Sequence, residues 1–309
     1  DIDRLYTVVF ALGAAVAEWM SLPGGTEGLF GQGAARAFAA WLTTLLVGFL
    51  AMGLLPTMEQ WFDRVTGMTL AELRDPRHPL LQELAARAPG TYDHSLQVAS
   101  LVEAGVSAIG GDAALAYVGA LYHDIGKMRK PEYFVENQSG ENPHDELRPN
   151  ISYLIIAGHV KDGLEMAAAS GLPKSLREFI SSHHGTQVVR WFYVKARDAA
   201  TEDDEVEEAS FRYPGPRPRS KEAAVLMLAD ACESASRAAG ELPSGKIESI
   251  VRDLSRERLL DGQFDECKLT LRELHEIEDA IIGRLRSIRH QRLAYPDDVD
   301  EAPAPDSGA

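Results

Sequence analysis

The sequence predicts an all-α protein in which two membrane-spanning helices precede a larger helical domain. Two observations support that fold class. Residues 37–55 contain no ionisable side chain, and a helix of that length spans roughly 28 Å, close to the hydrocarbon thickness of a bilayer. After Glu59, apolar residues recur at three- and four-residue spacing, as in Leu96, Ala99 and Val102, which is typical of helices that bury one face. Residues 188–194 are the one stretch that favours a β-strand.

The composition excludes several classes of protein. The chain has 309 residues, of which 45% are hydrophobic and 25% charged, and this balance excludes a wholly disordered, collagen-like or small disulfide-rich protein. The two cysteines, Cys232 and Cys267, suit a reducing compartment. A formal net charge of −16 offers no long-range attraction to DNA or RNA. We therefore expect no nucleic-acid partner, and a phosphorylated ligand would need local neutralisation by metal ions or a few cations.

Residues 1–56 are predicted to form a transmembrane hairpin, the last helices of a larger membrane region. Residues 5–22 are apolar apart from Glu18, and a glycine-rich turn joins them to the second helix. The second helix is followed by Arg64, Arg74, Arg77 and Arg87. The positive-inside rule then places the rest of the chain in the cytoplasm, with the lipid bilayer as a partner and the inner or plasma membrane as the location. A buried helical hairpin in a soluble protein is the alternative.

Residues 57–296 are predicted to form the cytoplasmic helical domain, with glycines at the turns between helices. Residues 198–218 interrupt it with a linker-like insertion. An acidic run, TEDDEVEE, leads there into FRYPGPRP, whose prolines cannot continue a helix. Residues 297–309, rich in Asp, Ala and Pro, are predicted to be a disordered tail.

Imidazole and carboxylate side chains recur on or at the ends of the predicted helices, and they indicate a metal centre. The ordered series is His94, His123, Asp124, His159, His183, His184 and Asp230. Such side chains are the ligands of iron, manganese and zinc sites. Seven are too many for one tetrahedral site and suit two metals that share a carboxylate. Carboxylates mixed with several imidazoles favour iron or manganese over a closed zinc site. Packing within a core is the alternative role for these side chains.

Lys127 lies three residues after Asp124. At that spacing its ammonium group can reach a phosphate oxygen, and the alternative is an interaction with the C-terminal end of a helix. No glycine-rich phosphate-binding loop and no Ser-His-Asp order occurs in the sequence. Their absence disfavours an acyl transferase or a nucleoside-triphosphate-driven motor.

The order of the histidines and aspartates resembles that of the HD-domain metal phosphohydrolases. Longer stretches are similar to one branch of that family, the HD output domain of the seven-transmembrane cyclic di-AMP phosphodiesterases of the PgpH type. They include HPLLQELAARAPGTYDHSLQVASLVE, GALYHDIGKMRKPEYFVENQ and FISSHHGTQVVRWFYVKA. The resemblance extends over residues 50–296. One departure is Asp93, which precedes His94 where the family often has His or Gln.

The resemblance implies an HD-domain helical bundle and divides the ligands between two metals. The first metal would be held by His94, His123, Asp124 and Asp230. Asp124 would bridge to a second metal, held by His159, His183 and His184. The implied activity is that of a membrane-anchored phosphodiesterase that converts cyclic di-AMP to 5′-pApA by attack of a metal-bridging hydroxide. Asp124 and Lys127 would be catalytic, and substrate contacts are expected from Lys127, Asn137, Gln138 and His144.

Two other functions are consistent with the same residues. One is an HD phosphohydrolase of another nucleotide, cyclic di-GMP or a guanosine alarmone. The other is a non-hydrolytic nucleotide-sensing module in which the metals are structural. A homodimer suits a receptor-like output domain, although the sequence has no heptad seam to support one.

Overall fold

The computed structural model describes residues 38–50, 53–54, 65–201, 205–240 and 243–290. Contacts between residues divide the chain into two units, residues 1–66 and residues 67–309. In the first unit, residues 38–50 and 53–54 are helical, and they expose large apolar side chains such as Phe38, Trp41 and Phe49. Across the residues that the structure describes, no helix is both long and apolar enough to cross a membrane. The first helix of the predicted hairpin and the predicted tail lie outside the described residues.

The described part of the second unit is built from α-helices joined by turns. In chain order they are α1 (Gly67–Arg74), α2 (Pro79–Arg87), α3 (Pro89–Ala108), α4 (Ala113–Tyr122), α5 (Pro149–Ala169), α6 (Lys174–Ser182), α7 (Arg190–Ala199), α8 (Lys221–Ala238), α9 (Ser244–Leu260) and α10 (Leu271–His290). Short 3-10 helices occupy Ile125–Arg129, Pro131–Tyr133, Val135–Asn137, Pro143–Asp145 and Glu208–Phe211. The prediction of an all-α domain is confirmed.

Residues 188–194, the one stretch whose side chains favour a β-strand, do not form one. The β-type pairing found in the described residues is a single antiparallel bridge between Val188 and Arg212, and α7 begins at Arg190. Branched and aromatic residues favour strands only where neighbouring strands can pack on them. Here Phe192 is instead buried against the ring of His144, and Trp191 is exposed.

The core of the domain lies around α3, which contacts α2, α4, α8 and α10. Val98, Leu101 and Val102 of α3 are fully buried, and each such side chain contributes roughly 1.5–3 kcal/mol through its burial. Helix α8 is buried over most of its circumference from Ala223 to Asp230, as expected of a helix that is apolar on nearly every side. The core therefore carries α3 and α8, and it presents His94 and Asp230 from adjacent helices.

The crossing of α5 with the 3-10 helix Ile125–Arg129 requires a glycine. A Cβ atom at Gly126 would lie 1.9 Å from the carbonyl oxygen of His159 and 2.5 Å from the amide nitrogen of Gly163. Both are backbone atoms of α5, so no change of rotamer can relieve the contact. Because Asp124 and His159 flank this crossing, the absence of a side chain at Gly126 lets them approach each other.

Gly126→Ala is expected to lower the free energy of unfolding by about 1–3 kcal/mol, the usual cost of overpacking a well-packed core. Urea denaturation of the two proteins measures the difference. Gly158→Ala on α5 is the matched control, since a Cβ there has open space within 4 Å. That change should leave stability unchanged or raise it by up to about 1 kcal/mol through helix propensity. Equal stabilities for the two variants would contradict the role assigned to Gly126.

Candidate metal centre

The seven residues of the His/Asp series converge in the structure. They come from α3, the end of α4, α5, the end of α6 and α8. One group consists of Asp124, His159, His183 and His184, and the other of His94, His123 and Asp230. Within each group the candidate ligand atoms lie within 4.8 Å of one another. Both groups offer imidazole nitrogens and carboxylate oxygens, the donor set of a divalent transition-metal site.

The two dipeptides of the series owe their placement to helix ends. Helix α4 ends at Tyr122, immediately before His123 and Asp124, and α6 ends at Ser182, immediately before His183 and His184. His123 and His183 keep right-handed helical backbone angles, whereas Asp124, with φ at −108° and ψ at 13°, has left the helical conformation. The Asp124 side chain is therefore not held to the 100° spacing of consecutive helical residues. Gly185, with φ at +51°, turns the chain after the second dipeptide.

The two oxygens of Asp124 face different imidazoles. Oδ2 lies 3.2 Å from Nε2 of His123 and 3.6 Å from Nε2 of His94. Oδ1 lies 3.3 Å from Nε2 of His159 and 3.5 Å from Nε2 of His183. One carboxylate thus joins the two ligand groups, which is the arrangement required of a ligand shared between two cations.

Backbone hydrogen bonds orient three of the imidazoles. Nδ1 of His123, His159 and His183 lies 2.7, 2.5 and 2.9 Å from the carbonyl oxygen three residues earlier in the chain. A carbonyl can only accept, so Nδ1 carries the proton and Nε2 presents a lone pair. All three Nε2 atoms face the Asp124 carboxylate. This is how metal-ligating histidines are held in proteins.

Two buried polar atoms at the centre lack hydrogen bonds within the described part of the chain. They are Nε2 of His123 and Oδ1 of Asp124. An unsatisfied buried polar group costs about 1–3 kcal/mol, and two beside each other need an explanation. A bound cation would satisfy both, so the residues present fit a divalent metal pair.

The surroundings of the cluster lower the pKa of its two carboxyl groups. Burial would raise the pKa of the Asp124 carboxyl, but the nearby His123 imidazole and Lys127 ammonium outweigh it, and the pKa lies well below its usual value. Burial acts on Asp230 in the same way, and there the hydrogen bond with His94 lowers the pKa of the carboxyl. Both carboxyl groups are therefore ionised at neutral pH, the form that binds cations.

The imidazoles divide into two kinds. Burial lowers the pKa of His183 and lowers that of His184 still further, with the neighbouring His183 imidazole adding to the effect on His184. Both are therefore neutral at neutral pH and able to bind a metal. Burial would also lower the pKa of His94, but hydrogen bonds with Asp230 and Glu233 raise it to about 9. A cation bound at His94 would replace that proton.

Lys127 lies within the site. Its Nζ is 2.7 Å from Oδ2 of Asp124 and 2.8 Å from Oε1 of Glu136, and its side chain is 12% exposed. Burial would lower the pKa of Lys127, but the charges of Asp124 and Glu136 outweigh it and raise the pKa. A permanently charged ammonium group therefore lies beside the shared carboxylate.

The structure does not bring His144 to the cluster. His144 is buried between Tyr133 and Phe192, with ring centroids 5.4 and 5.0 Å away, and its Nε2 lies 2.9 Å from the carbonyl oxygen of Tyr133. These contacts pack His144 within the loop, away from the ligands, and its contact with substrate stays a prediction.

Asn137 and Gln138 also make contacts away from the ligands. The Asn137 amide accepts a hydrogen bond from the Thr91 backbone and donates one to the Thr91 hydroxyl, which ties the loop to the first turn of α3. The Gln138 amide donates to the carbonyl of Glu132. Asn137 thus supports the site through α3, and its contact with substrate, like that of Gln138, stays a prediction.

Tyr213 is a member of the site that sequence reasoning did not assign. Its ring stacks on His184, with centroids 4.2 Å apart and planes inclined by 25°. Backbone hydrogen bonds from Val189 to Phe211 and from Tyr213 to Gln187 align the two segments. His184 and Tyr213 are 29 residues apart in the chain, and no local pattern in the sequence predicts their contact.

A second group beyond the predicted ligands braces the turn after His184. The side-chain oxygen of Gln263 accepts from the Thr186 amide at 3.0 Å, and its nitrogen donates to Thr186 Oγ1 at 3.0 Å and to Asp261 at 2.8 Å. Arg212 donates to the Thr186 carbonyl and to Asp261. Gln263 is fully buried, so this network holds the His183–His184 turn from outside the cluster.

Comparison with known proteins places the chain in a family. The family model described as HD domain matches residues 91–235. The cyclic-di-AMP phosphodiesterase PgpH of Listeria monocytogenes is 44% identical over 252 residues, and PgpH of Bacillus subtilis is 44% identical over 249 residues. These matches cover 81% and 80% of this chain. The chain spans only 35% of the length of each of these relatives.

Solved structures of the PgpH HD domain are similar to this chain as well. The crystal structure of the L. monocytogenes PgpH HD domain is 43% identical, with a TM-score of 0.66, and the match covers 69% of this chain and 100% of that one. The same domain in complex with cyclic-di-AMP is 44% identical with a TM-score of 0.67, covering 71% and 100%. The chain therefore belongs to the HD-domain family of metal-dependent phosphohydrolases, in the branch that contains PgpH.

Proposed function

We propose that this chain hydrolyses cyclic di-AMP to 5′-pApA at a centre of two divalent cations, iron or manganese. The observation that carries the proposal is the Asp124 carboxylate, whose two oxygens face two separate groups of imidazoles. The choice of nucleotide rests on the relatives named cyclic-di-AMP phosphodiesterase and on the related HD domain solved in complex with cyclic-di-AMP.

The chain provides a complete ligand set for both cations. One would be held by His94, His123 and Asp230, the other by His159, His183 and His184, with Asp124 shared between them. A pair of bound cations supplies an activated water and neutralises charge on the phosphate oxygens. The carboxylates and imidazoles favour iron or manganese.

The residues around the ligands prepare the site for a phosphodiester. Backbone carbonyls fix the imidazoles before substrate arrives, so little reorganisation is needed during the reaction. The buried carboxylates are ionised, and Lys127 adds a positive charge beside them. That charge suits a non-bridging phosphate oxygen, which Lys127 would contact.

We also propose that the protein is anchored in the inner or plasma membrane, with the HD domain in the cytoplasm. Exposed apolar side chains on the helix at residues 38–50 support contact with lipid. The arginines that follow this helix support the orientation. Protease protection of the chain in sealed membrane vesicles tests it, and cleavage of the HD domain only from the periplasmic or extracellular face would contradict it.

The activity is tested with the whole chain purified in detergent and loaded with Mn²⁺ or Fe²⁺. Cyclic di-AMP, cyclic di-GMP and a guanosine alarmone are supplied separately, and products are resolved by chromatography. We expect 5′-pApA from cyclic di-AMP and much slower turnover of the guanine nucleotides. The double variant His123→Ala with Asp124→Ala is the control for contaminating hydrolases and should be inactive. Turnover of a guanine nucleotide alone, or cyclic di-AMP bound but left intact, would overturn the proposal in favour of another substrate or a sensing module.

A further inference from the structure

His94 differs from His123, His159 and His183 in what its Nδ1 atom contacts. In the other three imidazoles Nδ1 bonds to a backbone carbonyl of the same helix. In His94 it lies 2.5 Å from Oε2 of Glu233, a residue 139 positions away in the chain. In the group of His94, His123 and Asp230, the His94 ring is therefore tied to a carboxylate, whereas Nδ1 of His159 and of His183 in the other group bonds to a neutral carbonyl dipole.

Glu233 and Asp230 reach His94 from the same face of α8. They are three residues apart on that helix, so their side chains lie one above the other. Asp230 Oδ1 is 3.1 Å from Nε2 of His94, and Glu233 bonds to Nδ1 on the opposite edge of the ring. The Glu233 side chain is 4% exposed, and its other ionic contact is Arg237, at 3.6 Å.

A carboxylate at this depth needs a compensating interaction, since burying an unpaired charge is costly. The hydrogen bond to His94 provides it, and it also acts on the imidazole. A carboxylate that accepts the distal N–H of a ligating histidine raises the basicity of the ring and fixes its orientation, more strongly than a neutral carbonyl can. Cation binding at Nε2 of His94 is strengthened accordingly.

The two ligand groups also differ in charge. Asp124 is shared, and the Lys127 ammonium lies beside its Oδ2 on the side of His94 and His123. The His94 group adds two carboxylates, those of Asp230 and of the nearby Glu233, and so keeps the larger negative charge. The group of His159, His183 and His184 adds only imidazoles to Asp124. We infer that Glu233 is a positioning residue that makes the group of His94, His123 and Asp230 the tighter of the two cation sites, so that the two cations bind in order. The inference rests on the proposed two-cation centre.

The experiment is a binding isotherm for Mn²⁺ on the whole chain. Protein freed of metal is dialysed against graded Mn²⁺, and bound metal per chain is measured by mass spectrometry. We expect two Mn²⁺ to bind in two resolved steps. Glu233→Gln keeps the size and a hydrogen-bond acceptor but removes the charge. It is expected to weaken the tighter step by about 10–100-fold, the usual effect of losing such a partner, and to leave the weaker step nearly unchanged.

Glu278→Gln is the matched control. Glu278 is also a buried glutamate, but its partner is Arg252, at 3.0 Å. This variant should lose stability in urea while both Mn²⁺ affinities stay unchanged. Glu233→Asp, which keeps the charge, should recover part of the tighter step, and it replaces Glu233→Gln as the test if that variant does not fold.

Three results would overturn the inference: both affinities unchanged in folded Glu233→Gln, both weakened equally, or Glu233→Asp no better than Glu233→Gln. A failure of the proposed function looks different. In that case the wild-type chain itself binds fewer than two Mn²⁺, or binds two and leaves cyclic di-AMP intact.

Discussion

Replacing Asp124 with Asn is expected to lower kcat/KM for cyclic di-AMP by at least about a thousandfold, which corresponds to about 4 kcal/mol of transition-state stabilisation. The amide of Asn offers one oxygen and no charge. Since Oδ1 and Oδ2 of Asp124 face different imidazoles, an NH₂ group would point at one of the two cation positions and repel its occupant. Steady-state kinetics with Mn²⁺, together with the metal content of the variant, measures the effect, and bound metal should fall below two per chain.

Asp112→Asn is the control for this change. Asp112 caps the other end of α4, where its carboxylate accepts a hydrogen bond from the Leu115 amide at 2.9 Å. Asparagine is an equally good helix cap, so activity and metal content should stay at the wild-type level. An Asp124→Asn protein with two bound metals and more than about a tenth of the wild-type activity, a loss of less than 1.4 kcal/mol, would refute the bridging role.

The second large effect is expected from Lys127→Met. Removing the ammonium group leaves Asp124 and Glu136 as neighbouring buried carboxylates without their shared partner. Breaking a buried ion pair in this way costs about 3–5 kcal/mol, so the metal-free variant should be destabilised by that amount in urea. With Mn²⁺ bound, the penalty should shrink, because the cations neutralise Asp124. Activity should fall by about a hundredfold or more if the ammonium group also contacts the phosphate.

Lys221→Met separates this effect from the general cost of losing a lysine. Lys221 forms an ion pair with Glu273 at the start of α8, nearer to solvent. Such a pair contributes about 1 kcal/mol or less, and its loss should not depend on Mn²⁺. If Lys127→Met lowers the free energy of unfolding by the same amount with and without Mn²⁺, the bound cations do not replace the charge of Lys127 beside Asp124, and the prediction is wrong.

The residues that the sequence singled out as ligands were recognisable because each stands in a local pattern. His123 and Asp124 follow an apolar helix, and His183 and His184 follow an amphipathic one. The helical periodicity predicts where these helices end, and therefore where two adjacent ligands can follow a helix. The same local reasoning marks residues 188–194 as favouring a strand, but α7 begins at Arg190 and Phe192 packs on the loop that carries His144. His144 is also expected to contact substrate; the structure places its ring between Tyr133 and Phe192, and that contact stays a prediction.

The sequence by itself determined the helical class of the domain and the identity of the residues that could bind metal, since both depend on residue type and on spacing along one helix. Only the tertiary structure decided how those residues are used. In it the two oxygens of Asp124 face different imidazoles, Glu233 forms a hydrogen bond with His94, and Tyr213 stacks on His184. These contacts join residues far apart in the chain. They exist because α8 packs on α3 in the core and α5 crosses the 3-10 helix Ile125–Arg129 at Gly126, which brings side chains from separate helices together.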